Sequence, residues 1–189
     1  MKRLLLFLVC IMSFSLSNAQ FRSERFYSYG VDFSYVKVFG AKESQWQLTK
    51  AFEDINHLMI NENEKYDFGR MVNSRAYVNI DPILEKHSDW DYNDIKLYRS
   101  EVNDLDCEEI VKEYDLPEET GIGLVLIAKL LNKDKAIGTY YVVMFDITSR
   151  NIIYCKEVSG EAGGFGVRNF WASSVYEVIK RTRIRVNKH

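Results

Sequence analysis

The sequence predicts an α+β domain: one mixed sheet of about five strands packed with about three helices, in the order β-α-β-α-β-β-β-α. Three observations predict it. Residues 121–157 hold three apolar runs separated by two polar turns. Leu48, Phe52, Ile55 and Met59 recur at helical spacing on one face. A glycine-rich turn at 160–166 leads into a last amphipathic helix.

Residues 1–19 read as a secretory signal rather than as part of the domain. Lys2 and Arg3 precede an apolar run from Leu4 to Met12, and the segment ends on small and polar residues up to Ala19. The run is too short to span a bilayer, which takes about 20 apolar residues. Val9 stands before Cys10 where a lipid-attachment motif needs a small residue, so lipidation is not expected. Residues 20–189 form a single α/β domain with no transmembrane segment, exported to the periplasm or the outer envelope. The signal removes two of the 25 basic residues and none of the 27 acidic ones, so the remainder is mildly acidic. That balance and the export argue against a nucleic-acid partner. A hydrophobic content of 47% with only two prolines argues against disorder.

Phe21 to Tyr29 is aromatic and basic without a clear period, and is expected to be an arm or a frayed end. Val31 to Phe39 alternates and is the first strand. Ser44 caps a helix whose buried stripe is Leu48, Phe52, Ile55 and Met59, with Glu53, Asp54 and Asn56 toward solvent. His57 also lies off the stripe, without a second histidine at ligand spacing. Arg75 to Ile80 is a short second strand, followed by a polar connection that holds a short helical piece. Within that connection, 89–94 (DWDYND) resembles the start of a calcium loop. Asp94 and Ser100 stand where glycine and glutamate are required, so it reads as an acidic loop.

Asp106, with Glu109 three residues on, starts the next helix. The third and fourth strands are apolar on both faces, as in strands covered on both sides. In the third, Leu124, Leu126, Ala128 and Leu130 face one way and Val125, Ile127 and Leu131 the other. In the fourth, Tyr140, Val142 and Met144 oppose Tyr141, Val143 and Phe145. Polar turns at 132–135 and 148–151 make the third, fourth and fifth strands a meander. The last helix runs from about Val167 to Arg183.

The helix ending Lys112-Glu113-Tyr114-Asp115, the strand opening Gly121-Ile122-Gly123-Leu124-Val125, the strand ending Phe145-Asp146-Ile147-Thr148, and the hairpin and helix that follow carry a resemblance. This order resembles the α/β module of envelope accessory proteins such as the curli-secretion pore lipoprotein and the amino-terminal domain of the Tol-system translocation protein. The stretch from Gly163 to Trp171, with the export signal, also resembles small exported proteins of Bacteroides-type bacteria. The resemblance covers roughly half of the exported chain. It implies envelope location and carries no catalytic motif.

One candidate ligand site is the turn itself. Gly163 and Gly164 precede a helix start, and Arg168 and Asn169 lie in its first turn. Backbone N–H groups at such a start hold anions, and Arg168 would add a charge-assisted contact. The spacing is neither a P-loop nor a dinucleotide fingerprint, and the glycines also suit a tight strand-to-helix turn. Cys107 and Cys155 either form a disulfide, which export allows, or remain two free thiols. No catalytic residues, metal ligands or cofactor are indicated. The sequence therefore favours a non-enzymatic envelope binding or assembly module with a protein partner. A small periplasmic ligand-binding protein or enzyme that uses the Arg168 turn is the alternative.

Overall fold

Ile122–Asn132 (β5) is buried along almost its whole length, and the other elements of the computed structural model assemble around it. The structure describes residues 25–88, 95–97 and 99–185. The signal segment and the acidic stretch 89–94 lie outside them. One edge of β5 carries two strands end to end. Phe26–Asp32 (β1) pairs in parallel with its first half, and Lys37–Phe39 (β2) with its last three residues. Outside these lie Ala76–Val78 (β3), parallel to β1, and Lys96–Leu97 (β4), parallel to β2. The other edge carries Ile137–Asp146 (β6) and then Ile152–Glu161 (β7), both antiparallel to their neighbours. The result is one mixed sheet of seven strands.

The helices are Gln45–Asn61 (α1), Gly69–Val72 (α2), Asp81–Ser88 (α3), Cys107–Lys112 (α4) and Val167–Arg181 (α5). Helices α1 and α5 cover one face with Leu48, Phe52, Ile55, Trp171, Val175 and Val178 against Leu124, Leu126 and Val142. Helix α4, with Tyr114 just after it, covers the other through Ile110, Val111 and Tyr114 against Val125, Val143 and Phe145. Ser44 and Gln47 form the reciprocal cap of α1, and Asp106 accepts from the N–H groups of Glu108 and Glu109. Among the described residues no helix is long and apolar enough to cross a membrane.

The α+β class and the meander agree with expectation, and four local readings change. The expected arm contains most of β1, because Phe26 and Ser28 to Tyr29 are buried on both sides and so show no period. The expected strand 31–39 is broken at 33–36 into β1 and β2. Asn56 is fully buried rather than solvated. Lys129 is the extra residue of a bulge, since Ala128 pairs with Tyr140 and Leu130 with Thr139. The bulge reverses the alternation, so Leu131, not Leu130, joins Leu124 and Leu126 on the α1 side.

Helix α5 approaches the sheet over a pair of facing glycines. Gly138 and Gly160 are cross-strand partners. A Cβ on Gly160 would stand 2.1 Å from the Ser174 carbonyl oxygen. Tyr140 and Ser174 meet through their hydroxyls, 2.6 Å apart, beside this contact. Gly160→Ala must therefore lift α5 off β7. The expected loss is about 1–3 kcal/mol, the range for overpacking, read by urea denaturation.

Candidate functional site

Three polar or exposed features stand out, and the break between β1 and β2 organises the first. Between β3 and β4 the outer edge of β1 has no strand partner among the described residues, and two side chains replace one. Asn56 on α1 accepts from Val31 N–H at 2.8 Å and donates to Val31 C=O at 2.9 Å. Nε2 of His87 on α3 accepts from Phe33 N–H at 3.0 Å. Gly30, with φ at +80°, lets Asn56 come this close, because a Cβ there would be 2.4 Å from its Oδ1.

Asp32, fully buried, sits at the break. Its carboxylate accepts from Tyr114 O–H at 2.8 Å and Ser34 N–H at 2.8 Å, and Lys86 Nζ lies 3.3 Å away. Lys86 also reaches Glu113 at 2.8 Å, which accepts from Tyr35 O–H. Burial pushes the Asp32 carboxyl up, but His87, Lys86 and the Ser34 N–H outweigh it and hold the group well below the usual carboxylate range. Asp32 Oδ1 is 3.4 Å from His87 Nε2, the nitrogen that already accepts from Phe33. A neutral ring cannot donate from the same atom, so the Lys86, Tyr114 and Ser34 contacts are the firmer support for the charge. Burial and the Asp32 charge together push the Tyr114 hydroxyl well up. The cluster therefore staples α3 and α4 to the end of β1, and its polar groups are turned to one another.

The second feature follows from the bulge, which aims Lys129 onto the α4 face. Its ammonium meets Glu157 at 2.6 Å, Tyr141 O–H at 3.2 Å and also Asp104. Burial lowers the Lys129 pKa, but these partners outweigh it and push it up. Beside this group Cys107 on α4 and Cys155 on β7 bring their sulfurs to 3.1 Å, both as thiols. Asp104, Asp106 and Glu108 rim an open groove of about 630 Å³ against the two cysteines.

The third feature is the glycine turn. It brings Gly163, Gly164, Arg168 and Asn169 together, all on the exposed side except the half-buried Gly163. The Gly163 N–H points into α5, at the Phe170 carbonyl (3.1 Å) and the Ser173 hydroxyl (2.6 Å). Arg168 Nε donates to Asn169 Oδ1 at 3.0 Å. Two of the turn's donors, the Gly163 N–H and the Arg168 Nε–H, are thus turned to α5 and to Asn169. What the turn displays is Phe165, which is 96% exposed. Its glycine neighbours Gly164 and Gly166 hold φ at +107° and +81°. At the same end of the sheet α1 begins with Trp46, 73% exposed. Lys133 in the β5–β6 turn ties the two helix starts together. Its Nζ is 3.0 Å from Glu43, just before α1, and 4.0 Å from the Phe170 ring centre in the first turn of α5.

Sequence reasoning reached the glycine turn and both cysteines but missed Asp32, Asn56, His87 and Lys129 as a set. Lys129 did carry a signal, a charge within the apolar run 124–131. Among the described residues no group of three or more histidine, cysteine, aspartate or glutamate side chains is placed to hold a metal ion. No protein-family model, curated protein or solved structure matches the chain. The fold and its polar centres define an α+β domain with one seven-stranded mixed sheet covered by helices on both faces.

Proposed function

We propose that the chain is a non-enzymatic, exported binding module of the cell envelope that docks a protein partner through the aromatic end of the sheet. The observation that carries this reading is Phe165, held clear of the fold on a turn that is tied to α5 at Gly163. A large apolar side chain kept in water at such a tip fits an anchor awaiting a pocket. Trp46 adds a second aromatic at that end. The buried Asp32 cluster supports the same reading, because its charges are spent on holding helices to the sheet. The signal-like residues 1–19 and the resemblance to envelope accessory modules supply the location.

The test uses the full-length protein expressed in its native envelope, with mild cross-linking and mass spectrometry, beside Phe165→Ser. The expected result is a stoichiometric protein partner captured by the parent and lost from the variant, with the thermal midpoint unchanged. Loss of an anchor worth about 2 kcal/mol weakens binding by roughly 30-fold. Equal capture by both proteins, or no partner with either, would overturn the docking role of Phe165.

A further inference from the structure

We infer that Cys107 and Cys155 are a redox site: a dithiol that a disulfide oxidant converts, within one molecule, into a bond clipping α4 to the edge strand β7. The geometry supplies what the reaction needs. The two sulfurs stand 3.1 Å apart, and a disulfide spans about 2.0 Å, so closure asks for a movement of only about 1 Å. The thiols differ in access. Cys155 is exposed on β7, which has β6 as its sole strand partner among the described residues, whereas Cys107 is buried at the start of α4. An open groove lies over the pair, so an oxidant has a path to Cys155. Cys155 stands opposite Val143 in the ladder, which places it on the face that α4 covers.

The chemistry runs in two exchanges. The Cys155 thiolate attacks one sulfur of the oxidant's disulfide, forming a mixed disulfide and expelling the oxidant's other sulfur as a thiolate. Cys107 then loses its proton and attacks the Cys155 sulfur, expelling the remaining half of the oxidant. The two protein thiols lose two electrons and two protons, and the oxidant is reduced to two thiols that carry those protons. The contact between the two sulfurs favours the thiolate at Cys155 and raises Cys107, which agrees with this order of attack. The acidic rim of Asp104, Asp106 and Glu108 suits an oxidant that presents positive charge beside its disulfide.

Cystamine, a disulfide with two ammonium groups, is the probe. It is applied to the full chain carrying Cys10→Ser, so that Cys107 and Cys155 are the remaining thiols. The expected product is monomeric, has lost two hydrogens, and gives a Cys107–Cys155 cross-linked peptide on mapping. Its thermal midpoint should rise by roughly 5–15 °C over the dithiothreitol-reduced protein, as expected for fixing a loop of this length; the two positions are 48 residues apart. In the same background Cys107→Ser should hold one cysteamine on Cys155, and Cys155→Ser should stay unmodified while folded. A stable adduct on both cysteines, dimers linked through Cys155, or an oxidised form with no higher midpoint would each overturn the clip.

Discussion

Replacing Asp32 with alanine is expected to lower stability by about 3–5 kcal/mol, the cost of breaking a buried ion pair by removing one partner. Lys86, only 16% exposed at its side chain, would keep Glu113 but lose the buried carboxylate. The Tyr114 hydroxyl and Ser34 N–H would lose their acceptor as well. Urea denaturation of the two proteins measures the difference. The same carboxylate gives the fold a definite acid response. Its folded pKa lies below the ordinary value of about 4, so its stabilisation is complete above that value. It is lost as pH falls further, toward the folded pKa. Stability should therefore decline below about pH 4, and Asp32→Asn should decline less steeply over the same range. Parallel slopes for the two proteins would mean that other carboxylates govern the acid limb.

Asn56→Leu is the second large effect. The substitution keeps an apolar helix face but leaves the Val31 N–H and C=O buried without partners. Each unpaired group costs about 1–3 kcal/mol, so a loss of about 2–5 kcal/mol is expected. Hydrogen exchange adds a local readout, because the Val31 amide should lose its protection while the amides of β5 keep theirs. Gly30→Ala alone is also destabilising, through its φ of +80° and the approach of Asn56. With Asn56→Ala in the background the steric part disappears, so the double variant should lose less than the sum of the singles. Additive losses would show that Gly30 serves only its backbone angle.

The parts of this fold that could be read from the chain are those set by neighbours in sequence. The β5–β6–β7 meander is marked by apolar runs and two polar turns, and each of its pairings joins adjacent segments. The caps at Ser44 and Asp106 are equally local. The break after Asp32 was hidden because alternation from Val31 to Phe39 runs straight through it. Asn56 was misread for a related reason. A polar residue beside an apolar stripe faces water unless a distant strand lacks a partner there, and that lack is a property of the assembled sheet. The candidate site divides in the same way. Glycine spacing located the turn, but the exposure of Phe165 and the inward aim of the Gly163 N–H depend on how α5 docks. The two cysteines were visible as a pair of residues, whereas their closeness depends on α4 lying across β7.

The two edges of β5 also differ in when they can form. Its meander partners lie immediately after it, but β1 meets it through pairs such as Phe26 with Ile122, which more than ninety residues separate in sequence. Such non-local pairing carries a large loop-closure cost and is slow to form. As the chain leaves the ribosome, β1 emerges long before the strand that will hold it. Its aromatic residues must wait for residues 122–127 before they can enter the sheet. The order of synthesis therefore leaves the first half of this protein without its scaffold until the second half arrives.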